Sequence, residues 1–271
     1  MKTQLLDNGW TILIDEDIRF LNDEQIKEVC RMTVSNMVVI FRNQRLTPIQ
    51  ELNFCRVMGN TQDTEYERTK HLNVINGILR VTGEKNDQGE PGLFGHTSAL
   101  DWHANQTSNR ERMPLIWLYG VKGTLGSRTS WMNNILSYQE LPEDLKAEVE
   151  DIEVFCGYKV GSYSPSTFFV EHVNYDYPIK LVQTNKAGHK GLYFPFLQIF
   201  GFKDYEQSRF EATMKRLVDH CNQEKYIYHH DWQDNDVVIL EQWLSIHKRW
   251  AFDKMEERVL HRIAFDYNNV Y

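Results

Sequence analysis

His103, His247, Arg258 and Arg262 are the residues of this chain whose types and spacing could do chemistry together. Side chains two apart in a strand point the same way, so a strand over 101–107 (DWHANQT) would bring His103 and Asn105 onto one spot, as a metal-binding pair is presented. His103 finds a distant partner in His247. Trp243, Ser245 and His247 alternate onto one face after the apolar run VVIL. On the next expected strand, Arg258, Leu260, Arg262 and Ala264 point one way and Val259, His261, Ile263 and Phe265 the other. Two arginines on one strand face beside a histidine strand suit a dicarboxylate, because guanidinium grips carboxylate in a bidentate fork. The same spacing also fits a surface ladder in which Arg258 pairs with Glu256 or Glu257. His229 and His230 are adjacent, so a strand would turn them to opposite sides, which argues against a metal pair there.

The elements that must position these residues are read from a chain of 271 residues, 41% apolar and 13% aromatic, ample for a buried core. A net charge of -8 argues against a nucleic-acid or anionic-membrane surface and points to a small-molecule partner. Cys30, Cys55, Cys156 and Cys221 show no C-x-x-C spacing, so neither a disulfide framework nor a zinc knuckle is suggested, and a reducing compartment fits. No apolar run approaches a membrane span and MKTQLLDNGW lacks the apolar core of a signal peptide, so the expected location is the cytoplasm. Homo-oligomerisation is left open.

In chain order, 9–14 reads as a strand. Asn22 with Gln25 forms a capping-box start to a helix carrying Ile26, Val29, Cys30 and Thr33. A buried strand is expected over 37–41. A second helix opens on Thr47, Pro48 and Gln50, offers Leu52, Phe54, Cys55 and Met58 for burial, and stops at Gly59. Residues 74–81 read as one strand, and 83–100, rich in glycine and charge, as a long binding loop or lid. Strand signals then crowd at 101–107, 115–121, 152–160, 178–184, 226–231, 237–243 and 257–266, which predicts a sandwich or barrel. Helices interrupt them at 131–150, broken at Pro142, and at 205–222, with Phe210, Met214, Leu217 and Val218 on one face. Without an internal repeat or linker, residues 1–271 are read as one domain.

The order WHAN at 102–105, SRTSW at 127–131 and HKRWAFDKMEERVLHR at 247–262 resembles the Fe(II)- and 2-oxoglutarate-dependent dioxygenases of the taurine dioxygenase family. VVIFRNQRLTPIQ at 38–50, GLYF at 191–194 and DWQDNDVVI at 231–239 extend the resemblance over nearly the whole chain. It implies a mainly β fold with flanking helices, a double-stranded β-helix or jelly roll of cupin-like form. By position, it implies that His103 and His247 ligate Fe(II) and that Thr129 and Arg258 hold the far carboxylate of 2-oxoglutarate. Arg262 would serve the co-substrate or an anionic group of the substrate. The implied reaction consumes O2, releases succinate and CO2, and hydroxylates a small molecule.

The family pattern places aspartate two residues after the first histidine, where this chain has Asn105. An amide offers a carbonyl oxygen but no charge, so iron there is expected to be held more weakly. Asn105 would then be a weak third ligand, a vacated position for chloride as in the related halogenases, the mark of a non-catalytic dicarboxylate-binding descendant, or an engineered replacement. Asp101 is an alternative carboxylate, displaced by about 6.6 Å along the strand; its ordinary role would be a hydrogen bond that orients a histidine. The substrate pocket is expected from the 83–100 loop, from the 160–176 segment with Tyr163, Phe168, Phe169 and His172, and from Trp250. Ala99 stands where a taurine site would place a polar group, so a small polar or amino-acid-like substrate is expected instead. A cupin-like structural domain whose histidines only pack is the rival, and it requires His103 and His247 to lie far apart.

Overall fold

Alternation of side chains across strands sets the layers of this molecule, and the local signals of the sequence set most of its element boundaries. The computed structural model describes residues 1–64, 73–83, 99–107, 112–158, 172–253 and 258–271. The chain enters through β1 (Thr3–Leu5) and β2 (Thr11–Ile14). Asn22 caps α1 (Asp23–Asn36) by accepting from the Gln25 amide while the Gln25 side chain returns the bond, the expected capping box. Ile26, Val29, Cys30 and Thr33 are buried along one face of α1. β3 (Val38–Phe41) is buried throughout. α2 (Pro48–Met58) starts on the Thr47–Gln50 box and ends at Gly59, as its sequence predicts.

Residues 74–81 depart from expectation. They form a hairpin, β4 (Asn73–Ile75) and β5 (Ile78–Thr82), which reverses at Asn76-Gly77 with Gly77 at φ 99°. The Asn-Gly pair is the turn signal, since the second residue must enter a left-handed conformation at little cost. β6 (Leu100–His103) follows and stops short of the 101–107 strand expected. β7 (Leu115–Lys122) and β8 (Arg128–Asn133) come next. The helix expected over 131–150 is therefore shorter: residues 131–133 close β8, and Asn133 caps α3 (Asn134–Gln139) by accepting from the Ile135 and Leu136 amides. α4 (Glu143–Val149) restarts after Pro142.

β9 (Glu153–Tyr158), β10 (His172–Lys180), β11 (Val182–Thr184), β12 (Lys190–Leu192) and β13 (Ile199–Phe202) lead to α5 (Gln207–Cys221). The face of α5 anticipated from its spacing packs inward, with Leu217 buried and Phe210, Met214 and Val218 partly so. The chain finishes through β14 (Ile227–Asp231), β15 (Val237–Glu241), β16 (Ser245–Arg249) and β17 (Val259–Phe265). Trp243 precedes β16 rather than lying on it. All four cysteines are buried and free, and no helix among the described residues is long and apolar enough to cross a membrane.

Eight strands form one sheet in the order β1-β2-β3-β15-β7-β17-β5-β4, and four form a second, β14-β8-β16-β6. Val38, Ile40, Val238, Leu240, Leu260 and Ala264 of the first sheet share a core with Trp131 of the second. Their strand neighbours Val39, Phe41, Val237, Ile239, Ile263 and Phe265 face the other way, into a core with α1 and α2. Beyond the second sheet, Met132, Ile227 and Ile246 pack with α5 and β9 in a third core. The fold is a jelly roll with helices outside it, mainly β as the resemblance implied. Every inward position of β8, β16 and β17 therefore opens on the space between two sheets.

One acid is buried by this layering. Glu241 ends β15 with no exposed surface; one carboxylate oxygen accepts the Leu244 amide at 2.9 Å and the other has no partner. Burial pushes this carboxyl up to about 8, against backbone bonds that favour its ionised form. The folded chain thus keeps a proton that the unfolded chain sheds near 4.5, so this contribution to stability is complete below that pH and is lost as the pH rises through 8. Between pH 7 and 9 the loss is about 1.4 kcal/mol. Denaturant titrations of wild type and Glu241→Gln should diverge in slope across that interval, the variant being the flatter. Parallel profiles would contradict a protonated Glu241.

Candidate active site

β16 lies between β8 and β6, and this register assembles the site. His247 pairs directly with His103 of β6 on one side and with Trp131 of β8 on the other. Directly opposed side chains in a sheet sit about 5 Å apart at Cβ, and the two imidazole centroids are 4.2 Å apart. Two imidazoles bound cis to one ion at nitrogen–metal distances near 2.1 Å have centroids roughly 4–5 Å apart, so the pair fits a single divalent metal. The rival in which both histidines only pack at separate places is thereby removed.

His103 Nδ1 lies 2.6 Å from the Asp101 carbonyl oxygen. It donates there, which makes Nε2 the lone-pair nitrogen of a neutral ring. Burial lowers the His103 pKa to about 4, outweighing the Asp101 bond that raises it, and Arg249 and Arg262 push the same way. His247 is held well below the usual range by burial, then by His103 and Arg262, and its Nδ1 is buried without a partner. Both rings are therefore in the neutral form that binds metal.

Asn105 is not on the strand with His103. β6 ends at His103 and Asn105 sits in the turn that follows, yet it still lines the same cavity as both histidines. Two glutamines that sequence reasoning missed pin this turn: Gln198 Oε1 accepts the Ala104 amide at 2.8 Å, and Gln242 Oε1 accepts the Asn105 amide at 3.2 Å. Neither carries a sequence signal, because each arrives from a distant element.

Asp101 also departs from the simple alternation. His247 pairs with His103 but Arg249 pairs with Leu100, so β6 has one residue more than β16 over this interval, a β-bulge. The bulge places Leu100 on the cavity and turns Asp101 outward, where its carboxylate meets Lys248 Nζ at 3.1 Å. Asp101 is thus no substitute metal carboxylate; it does orient His103, but through its backbone carbonyl. Among the described residues no cluster of three His, Cys, Asp or Glu side chains could hold a metal. The donors brought together are two imidazoles and the Asn105 amide.

Arg258, Leu260 and Arg262 line the cavity together, as alternation along β17 predicts. Arg258 is only 2% exposed, which rules out the surface ladder; Glu256 and Glu257 lie outside the described residues. Its Nε donates to Ser127 Oγ at 3.2 Å, while Nη1 is buried without a partner. Thr129 enters the cavity from β8, and its Oγ1 accepts from Trp232 Nε1 at 2.9 Å, so its own hydroxyl proton is available to donate.

Arg249 was missed. It lines the same cavity, is 5% exposed and is the direct cross-strand partner of Thr129. The signal was present, since the alternation through Ser245 and His247 reaches Arg249 at its next step. Burial lowers the guanidinium pKa of Arg249 to about 10, and burial followed by the charge of Arg249 lowers that of Arg258 to about 9. The remaining lining is apolar, Val81, Leu100, Leu118 and Leu260, with no carboxylate among the described lining residues. Such a cavity attracts anions.

Other residues singled out in the sequence lie elsewhere. Trp250 donates to Ser130 Oγ at 2.7 Å on the outer face of β8 and does not line the cavity. His229 meets that same hydroxyl at 2.6 Å, whereas His230 is buried 3.2 Å from Asp236, so the two do face opposite sides. Ala99 is exposed. Tyr163, Phe168, Phe169 and nearly all of the 83–100 loop lie outside the described residues, and His172 opens β10.

A family model described as taurine catabolism dioxygenase TauD, TfdA family, matches residues 14–264. The chain belongs to this family. Its metal is therefore Fe(II) and its co-substrate 2-oxoglutarate, as for the family. This TauD/TfdA-family dioxygenase is 27% identical over 248 residues to the (S)-phenoxypropionate/alpha-ketoglutarate-dioxygenase of Sphingobium herbicidovorans, covering 84% of this chain and 82% of that one. It is 21% identical over 269 residues to the alpha-ketoglutarate-dependent 2,4-dichlorophenoxyacetate dioxygenase of Cupriavidus pinatubonensis, covering 92% and 91%. Its fold matches that of AAD-2 in complex with Mn(II) and N-oxalylglycine with a TM-score of 0.79, at 19% identity over 97% of this chain and 96% of the other. A taurine dioxygenase from Burkholderia xenovorans gives 0.76, at 18% identity over 97% and 90%.

Proposed function

We propose that this dioxygenase hydroxylates a small polar or amino-acid-like molecule in the cytoplasm, using residues 1–271 as one catalytic domain. The observation that carries this reading is the convergence of His103, His247, Thr129 and Arg258 on one buried, cationic cavity between two sheets. His103 and His247 hold the iron through neutral imidazoles, with the Asn105 amide oxygen as a weak third donor. Thr129 and Arg258 hold the far carboxylate of 2-oxoglutarate, and Arg262, on the same face of β17, receives its remaining charge or an anionic group of the substrate.

Bound Fe(II) supplies the oxygen chemistry, which couples oxidative decarboxylation of the keto acid to oxidation of the substrate. The protein contributes position and dryness. The Asp101 carbonyl fixes the tautomer of His103, the two glutamines hold the 104–105 turn, and the apolar lining keeps water from the arginine–carboxylate contact, which strengthens it. Hydroxylation is preferred to halogenation because the relatives above are named as dioxygenases and because asparagine is bulkier than the alanine or glycine that admits chloride.

The test is succinate release by the purified chain supplied with Fe(II), 2-oxoglutarate and oxygen, across a panel of small carboxylates and amino acids. Iron-dependent succinate, raised by one substrate class whose product gains one oxygen in mass, is expected. Binding of 2-oxoglutarate without succinate at saturating iron would make the chain a dicarboxylate-binding protein, and a chlorinated product would make it a halogenase.

A further inference from the structure

We propose that Arg249 is a co-substrate-binding residue: with Arg258 and Thr129 it forms a two-guanidinium seat for the far carboxylate of 2-oxoglutarate, which grips the dicarboxylate before any metal is bound. This rests on the reading of the cavity as the 2-oxoglutarate site. Three observations place Arg249 in that role. It stands two residues beyond His247 on the same strand face, a step of about 6.6 Å, so a short diacid whose keto end lies at His247 extends along β16 toward it. It is the cross-strand partner of Thr129, so its stem rises beside the hydroxyl already assigned to that carboxylate. Its guanidinium shares a ring with that of Arg258: the two Cζ atoms lie 5.4 and 5.0 Å from the centre of Phe252.

Both guanidinium groups pack against one phenyl ring in residues 5% and 2% exposed, so an anion drawn into the cavity meets two positive charges with little water to screen them. A carboxylate can accept from each guanidinium through a separate oxygen while Thr129 donates a further bond. The neutral Asn105 gives the second arginine its purpose. Where the metal is held weakly, a co-substrate that depends on it for affinity is also held weakly, and a second guanidinium supplies grip from the protein alone.

The experiment is calorimetric titration of the 271-residue chain in excess EDTA, with 2-oxoglutarate and with 2-oxovalerate, which has the same carbon count but no far carboxylate. Wild type is expected to bind 2-oxoglutarate without metal and to prefer it to 2-oxovalerate by about a hundredfold or more. Arg249→Met should weaken metal-free 2-oxoglutarate binding by at least about tenfold and leave 2-oxovalerate binding with Mn(II) unchanged, a selectivity that mere structural damage would not produce. Arg249→Lys keeps the charge without the fork and should fall between, which preserves the test if the methionine variant does not fold. A dissociation constant for Arg249→Met within twofold of wild type, an equal loss for 2-oxovalerate, or wild-type binding only when Mn(II) is present overturns the proposal. If Arg258→Met loses 2-oxoglutarate while Arg249→Met does not, this inference alone fails. If wild type takes no 2-oxoglutarate with or without Mn(II), the reading of the cavity fails with it.

Discussion

Asn105→Asp is expected to tighten Fe(II) binding by about a hundredfold and to raise the rate of succinate formation with it. Loss of even a residue that only supports a ligand typically costs 10–100-fold in metal affinity, and here the change adds a charged donor directly. The substitution is nearly isosteric, and the bonds that hold the turn run through the backbone amides of residues 104 and 105, so they survive it. The added charge also offsets part of the positive field of Arg249, Arg258 and Arg262, which line the same cavity. Competition against a chromogenic chelator under anaerobic conditions measures the affinity, and a discontinuous succinate assay the rate. An unchanged iron constant would mean that the side chain at 105 does not face the metal.

Trp131→Ala should have the largest effect on stability, a loss of about 3–5 kcal/mol. Trp131 is fully buried between the two sheets, stacked on Tyr228 with centroids 6.2 Å apart and meeting His230 edge-on at 6.0 Å. It is also the direct strand partner of His247, so the hole it leaves adjoins the two paired imidazoles. For a chain of this size a loss of that order lowers the unfolding midpoint by about 10 °C. Iron affinity should fall as well, as His247 loses the neighbour that fixes it. Trp131→Phe keeps much of the volume and should recover most of both. A midpoint within about 2 °C of wild type would mean that the contact between the sheets does not depend on this side chain.

These expectations depend on information of two kinds. The starts of α1 and α2 were legible because a capping box is a bargain among four consecutive residues, Asn22 with Gln25 and Thr47 with Gln50. The grouping of Arg258, Leu260 and Arg262 was legible because strand parity needs only the chain itself, and parity carried one step past His247 would have reached Arg249 too. The hairpin at Asn76-Gly77 was signalled locally, but the apolar run on either side outweighed the turn. Trp131 and Met132 read as helix because apolar residues there fit either period, and only pairing with β14 and β16 on both sides makes them strand.

Residue order alone holds the chemical inventory: two histidines, an amide two residues after the first of them, arginines on one strand face, and the succession of motifs that marks a TauD/TfdA-family chain. Which of these meet is a matter of strand pairing. The register of β16 between β6 and β8 sets His247 against His103 and Arg249 against Thr129, and a one-residue bulge in β6 sends Asp101 to the surface while Leu100 faces the cavity. Gln198 and Gln242 reach the 104–105 turn from elements remote in the chain. The physical reason is the same in each case. A strand's own alternation is local, but its register and its bulges are set by what the neighbouring strands bury, and a shift of one residue reverses every side chain.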